Sequence, residues 1–253
     1  MSGKLPKIFW EIHSGLPREG PGDNESTRKA YMMLNDLPEN PRILDIGCGP
    51  GMQTIELANL SRGQIVALDN NQPFLDILKY RAEKEGVSDH ITIVQGDMCN
   101  LKYEPKSFNV IWSEGAIFII GFEKGLREWQ RLLADKGYLV VSELSWLRAD
   151  LPTEIRSFMH DGCLGYVDIK TIEENLDVSR KIGYRIISSF VLPKRSWWEG
   201  YYSLIEAKMP SLKDKCRGDA STLKFIAWEE TEIAMFRKYS DYYGYVFYLL
   251  QNQ

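Results

Sequence analysis

Short apolar runs alternate with amphipathic stretches along most of this chain. Runs rich in Ile, Val and Leu start near Arg42, Gln64, Ile91, Phe108 and Tyr138. Residues 52–60, 72–85, 122–133 and 171–182 repeat apolar positions at helical spacing. Residues 184–192 read as a sixth strand and 245–250 as a seventh. This alternation predicts an α/β fold with a doubly wound, mostly parallel sheet of seven strands. Three stretches lie outside that plan. Residues 9–22 form a leader that Pro and Gly break into turns, followed by a helix at about 26–36. Residues 145–168 hold a short helix at 151–159, with Pro152 near its start. Residues 193–244 are rich in Trp, Tyr and Phe, an insertion able to cap the carboxyl edge where open α/β folds bind ligands. The leader is too apolar for a disordered tail, which predicts a lid over that edge. The whole reads as a single domain over 1–253: lid and helix 1–37, core strands 38–192, cap 193–244 and last strand 245–253.

Composition narrows the partners. A net charge of −4 and no long Lys/Arg run argue against nucleic acid. Cys48, Cys99, Cys163 and Cys216 are widely separated, with no CxxC pair and no zinc spacing, which points to a reducing compartment. The N-terminus lacks a signal-peptide pattern and no apolar run is long enough for a bilayer, so the cytoplasm is expected and no membrane span. No metal site is expected, since no acid pair stands at a recognisable spacing. Oligomeric state is left open, a homodimer included.

The chemistry concentrates at Ile43-Leu44-Asp45-Ile46-Gly47-Cys48-Gly49-Pro50-Gly51. An apolar run ends in an acid and three alternating glycines, then continues as a helix. Strand, tight turn and helix start predict a nucleotide-like ligand, met by free N–H groups at the helix N-terminus. A dinucleotide fingerprint needs a sixth-position glycine; Met52 stands there, which argues against an NAD-linked oxidoreductase. A P-loop needs Gly-Lys-Ser/Thr, and none is present. Three more strand ends follow. Gln64–Asp69 places an acid about twenty residues after the glycines, where ribose hydroxyls can be held. Residues 91–98 end in Gly96-Asp97-Met98, and residues 108–115 in Ser113-Glu114-Gly115.

Asp45-x-Gly47-x-Gly49-x-Gly51, together with these strand ends, resembles motif I and its successors in the class I S-adenosylmethionine-dependent methyltransferases. The resemblance spans residues 41–143. It implies a Rossmann-like methyltransferase fold whose last strand inserts antiparallel between the fifth and sixth. It further implies S-adenosylmethionine as cofactor, S-adenosylhomocysteine as product and a small-molecule acceptor. Cofactor contacts would come from Asp45, Gly47, Cys48, Gly49, Gly51, Asp69, Asn70, Asp97 and Met98. Ser113 and Glu114 would lie where the methionyl end meets substrate. The loop after the fourth strand is not Asn/Asp-Pro-Pro-Tyr, which lowers the odds of nucleic-acid or glutamine amine acceptors. The leader, Glu11-Ile12-His13-Ser14-Gly15-Leu16-Pro17-Arg18 with Gly20-Pro21-Gly22, is similar to a subset related to ubiquinone and menaquinone biosynthesis methyltransferases. A sensor or scaffold that binds the cofactor without transfer is the alternative.

His13 and Glu114 are the candidate bases. Cys48 reads as a packing residue, not a nucleophile. His90 reads as solvated, and His160 as following the short helix, where it could face the cleft. The cap aromatics read as core, with a cation cage as the alternative. Trp197 and Trp198 cannot share a helix face, so one is exposed or faces a ligand.

Overall fold

The structure, a computed structural model, describes residues 6–162 and 169–253. Seven strands form one sheet: β1 (Arg42–Ile46), β2 (Gln64–Asp69), β3 (Ile91–Gln95), β4 (Phe108–Glu114), β5 (Leu133–Trp146), β6 (Arg185–Val191) and β7 (Tyr243–Gln251). Their order is β3-β2-β1-β4-β5-β7-β6. The first five are parallel, and β7 runs antiparallel to both of its neighbours. β1 reads as a continuous apolar run because helices cover both faces of a parallel sheet. Its residues alternate between faces: Ile43 joins one apolar layer, Leu44 and Ile46 the other. All nine residues of β7 are buried.

The helices are α1 (Lys7–His13), α2 (Asn24–Tyr31), α3 (Met52–Ser61), α4 (Gln72–Glu85), α5 (Phe122–Gln130), α6 (Thr153–Gly162), α7 (Ile172–Ile182), α8 (Arg195–Trp197), α9 (Ser203–Lys215) and α10 (Ala220–Tyr239). α8 runs into α9 through one π-turn at Trp198–Tyr202. α3, α4 and the starts of β1 to β4 fall where the hydrophobic pattern puts them, whereas β5 begins five residues before the expected Tyr138. The leader does not. It was expected as turns alone, yet it opens with α1, whose Ile8 and Ile12 lie one turn apart and are buried against α9 and α10. α2 starts earlier than expected because the Asp23 carboxylate accepts from Ser26 N at 2.6 Å, an N-cap. α5 stops at Gln130, so β5 begins at Leu133. His160 lies within α6, on an exposed face. Cys163 and the end of the 145–168 segment fall outside the described residues.

The cap aromatics are mostly core. Trp197 stacks on Phe236 at 4.1 Å and on Tyr245 at 5.3 Å, which closes the cage alternative at those rings. Trp198 is half-buried under the Arg237 guanidinium at 4.8 Å. Where the strand order reverses, β1 lies between β2 and β4, and the crevice beyond their carboxyl ends is the expected ligand position.

Candidate functional site

The turn after β1 is shaped by space and by backbone hand. Gly47 has φ +73°, and a Cβ there would stand 2.5 Å from Ala116 Cβ. Gly51 has φ +85°, and its Cβ would meet Leu78 Cδ1 at 2.1 Å. Only glycine satisfies both demands. The turn's own N–H groups are used within the protein, whereas the expected free donors belong to the first turn of α3, from Met52 on. Gly47 N and Cys48 N donate to Leu68 O at 2.8 and 3.1 Å, and Gly51 N donates to Cys48 O at 3.0 Å. Gly49 N donates to Asp69 Oδ2 at 2.9 Å. The turn is thus pinned to β2.

Asp69 organises the end of β2. Its Oδ1 accepts from Asn71 N at 2.9 Å. Burial raises its pKa, while the N–H bonds from Asn71 and Gly49 pull it down. Each carboxylate oxygen keeps a further lone pair. Asn70 is exposed, and its carbonyl accepts from Gln95 Nε2 at 3.2 Å. Asp97 is also exposed, with Oδ1 accepting from Cys99 N at 2.8 Å. Met98 places its Cε 3.5 Å from the point where Gly47 would carry a Cβ. Cys48 turns away, buried with Ala67, Leu75 and Leu78, and burial pushes its thiol far up. It contributes backbone and packing alone.

Beneath the leader lies a buried polar network. Asp45, fully buried, accepts from Thr54 Oγ1 at 2.6 Å and Gln53 Nε2 at 3.4 Å. Its Oδ1 is a buried atom with no hydrogen-bond partner. Burial pushes this carboxyl up to about 7, with Thr54 pulling the other way and the charge of Glu114 adding to the rise. Glu114 is held by three donors. It accepts from Arg18 Nη1 at 2.5 Å, Thr27 Oγ1 at 2.8 Å and Trp112 Nε1 at 2.8 Å. It anchors the leader to β4, and its pairing with the buried Arg18 guanidinium favours the carboxylate as an anchor over the base read from the sequence. Ser113 is buried, and its hydroxyl donates to Ile46 O at 2.9 Å, which ties β4 to the end of β1.

His13 is likewise not poised as a base. It is 5% exposed, stacked on Phe9 at 4.0 Å, with Nδ1 3.1 Å from Glu19 Oε2 and Nε2 3.9 Å from Glu229 Oε1. Burial alone would lower its pKa. Glu19 and Glu229 more than reverse this and raise it to about 9. An imidazolium at neutral pH has no lone pair to accept a proton. His90 sits half-buried with Nδ1 3.1 Å from Gly63 O.

The sequence reading missed the clamp on the turn. Arg81 of α4 donates through Nη1 to Pro17 O and Pro50 O, both at 2.9 Å, and through Nη2 to Leu16 O at 3.2 Å. Glu19 lies over Gly49, its Cγ 3.9 Å from the position of a Cβ there. The leader therefore does cover the turn. It does so as packed structure, with Ile8, Ile12 and Leu16 in the core. Among the described residues, no group of three His, Cys, Asp or Glu is placed to hold a metal ion, and no helix is long and apolar enough to cross a membrane.

Known proteins share this arrangement. Residues 43–137 match a family described as a methyltransferase domain. Over 160 residues the chain is 28% identical to a sterol 24-C-methyltransferase of Clavispora lusitaniae, covering 63% of this chain and 37% of that one. The chain spans less than half the length of the curated relatives it matches. A SAM-dependent methyltransferase from Geobacter sulfurreducens, solved with S-adenosylhomocysteine, superposes with a TM-score of 0.83 at 23% identity, over 98% of this chain and 99% of that one. One from Thiobacillus denitrificans, also with S-adenosylhomocysteine, gives 0.83 at 22%, over 98% and 99%. At such identities the likeness concerns the fold. Residues 43–137 thus match a methyltransferase-domain family, and the chain that contains them has the Rossmann-like fold of these methyltransferases.

Proposed function

We propose that this chain is an S-adenosylmethionine-dependent methyltransferase acting on a small-molecule acceptor. The observation that carries the reading is Asp69: a carboxylate at the end of β2, tied by Gly49 N–H to a left-handed glycine turn and keeping one lone pair per oxygen for a vicinal diol. The rest of the cofactor fits the residues present. The orphaned, buried Asp45 Oδ1 suits the methionyl ammonium. Gly47, Gly49 and Gly51 supply the left-handed backbone that carries the chain tightly from β1 into α3 at the cofactor's edge. Asp97 and Asn70 offer exposed polar groups for the adenine and ribose edges, and Met98 an apolar surface for the ring. Ser113 and Cys48 support this site from behind. When bound, the cofactor would supply a methyl carbon activated by a sulfonium. The chain's own part is alignment, by the turn and by the Arg81-clamped leader, and exclusion of water.

The one-domain organisation is part of this reading, supported by the packing of leader and cap on one face of the sheet. A cytoplasmic setting is supported by Cys48, Cys99 and Cys216 being free thiols. Calorimetry with S-adenosylhomocysteine and NAD, followed by a labelled-methyl assay on a metabolite pool, tests the function. Binding of S-adenosylhomocysteine but not NAD, with label appearing in a metabolite, is the expected result. NAD binding without S-adenosylhomocysteine binding overturns it, and cofactor binding without transfer assigns the chain to the sensor class.

A further inference from the structure

The cap holds a polar cluster that cofactor binding does not use. α10 turns Ile226, Ile233 and Phe236 inward, and Glu229 stands in the same stripe, 3% exposed. Its Oε1 faces His13 Nε2 across 3.9 Å, beyond hydrogen-bond reach. His13 Nε2 is therefore a buried donor with no hydrogen-bond partner among the described residues, aimed into the same space. One turn along α10, Glu232 accepts from the Tyr202 hydroxyl at 3.0 Å. Glu232 itself is half-buried. Tyr201 lies beside it, in the field of Glu232, Glu229, Tyr245 and Glu19. The Tyr245 hydroxyl comes 3.6 Å from where Gly115 would carry a Cβ. The cluster thus reaches from the cap to the loop after β4, and through Glu19 to the glycine turn.

Its charges do not balance. Glu19 shares the fields of Arg81 and Lys208 besides its bond to His13. Among the described residues, the cation paired with Glu229 and acting on Glu232 is His13. A buried and a half-buried carboxylate facing one imidazolium are short of a positive charge. Burial and then the charge of Glu229 push Glu232 up to about 7.

We propose that Glu229 and Glu232, flanked by Tyr201 and Tyr202, form the acceptor subsite, and that it takes a basic amine. This rests on the methyl-transfer reading above. A protonated amine brings the missing cation and meets two acceptors plus aromatic walls. Its proton passes to the Glu232 carboxylate, which frees the nitrogen lone pair. That pair forms the N–C bond to the methyl carbon as the C–S bond breaks, and the bonding pair leaves with sulfur as a neutral thioether. The product nitrogen is again cationic and faces the Glu229 carboxylate, and Glu232 returns its proton to solvent before the next turnover.

E229Q and E232Q keep side-chain shape and remove one charge each. The 253-residue chain, with S-adenosylhomocysteine present, is titrated by thermal shift with 2-phenylethylamine and cyclohexylamine, each against its neutral isostere, 2-phenylethanol and cyclohexanol. The amines should bind about tenfold or more tighter than the alcohols, and each variant should lose most of that preference. Affinity for S-adenosylhomocysteine should stay within about twofold. If E229Q folds poorly, E232Q carries the comparison, since glutamine can still accept from Tyr202. No amine preference in the wild type, or a preference retained in both variants, overturns the proposal. Loss of S-adenosylhomocysteine binding by the wild type overturns the methyl-transfer reading instead, and an amine preference measured without it would leave an amine site that is no acceptor site.

Discussion

Gly51 shows how tightly single residues define this site. Alanine there must hold φ +85° and displace Leu78, so Gly51→Ala should destabilise the protein by about 2–4 kcal/mol in urea unfolding. Gly49 differs: a Cβ would meet Glu19 Cγ at an ordinary 3.9 Å, so Gly49→Ala should cost about 1–2 kcal/mol, nearly all from its φ of +52°. Equal losses at the two positions would contradict this geometry. Asp69→Ala should weaken S-adenosylhomocysteine binding by about 1–3 kcal/mol, roughly tenfold to a hundredfold, because the ribose loses a charged acceptor. A turn residue without a ligand role would lose stability and keep its affinity, so calorimetry and melting together decide. Asp45, Asp69 and the glycines are legible in the sequence because a strand–turn–helix unit fixes their spacing locally. Glu114 was legible as a position but not as an anchor, since its partner Arg18 lies 96 residues away along the chain. Glu229 had a readable signal: an acid between Ile226 and Ile233 in an apolar helical stripe.

Elements were legible where periodicity was long. α4 and the starts of β1 to β4 follow the pattern, and β7 lies where the family resemblance puts it. α1 escaped because seven residues carry too little periodicity, and its helix is held by Ile8 and Ile12 packing under the cap. That packing also changes what the leader can do. Removing residues 1–22 would uncover Ile8, Ile12 and Leu16 and strip Glu114 of Arg18, so such a truncation is expected to be unstable, not simply open. The cleaner probe is Arg81→Met, which keeps bulk and releases the carbonyls of Leu16, Pro17 and Pro50. S-adenosylhomocysteine should then dissociate about tenfold faster while melting shifts by only a few degrees. An unchanged off-rate in stopped flow would show that the clamp does not retain ligand.

At the scale of the whole molecule, buried proton-binding groups point one way. His13 is raised from its ordinary 6.5 to about 9. Its contribution is complete below about pH 6.5 and is lost as pH rises through about 9. Asp45 and Glu232, raised to about 7, and Glu143, raised to about 8 by burial, also bind protons better when folded. Their contributions fade as pH climbs from their ordinary values of 3.8 and 4.5 toward those figures. The melting temperature of the ligand-free protein should therefore fall from about pH 5 to about pH 9, and His13→Asn should flatten the upper half of that slope. A melting temperature that rises over this range would refute the assigned charge states. The place of β7 has a further consequence, in the order of synthesis. β6 has β7 as its sheet partner, and β7 follows only after the cap between Val191 and Tyr243. At roughly 5–20 residues per second, a nascent chain holds β5 and β6 with open edges for several seconds while the cap is translated. Such edges are templates for pairing with other chains. Chaperone dependence and inclusion-body formation should accordingly respond to translation speed across the cap, and codon choice in that stretch becomes a lever on yield that leaves the protein itself unaltered.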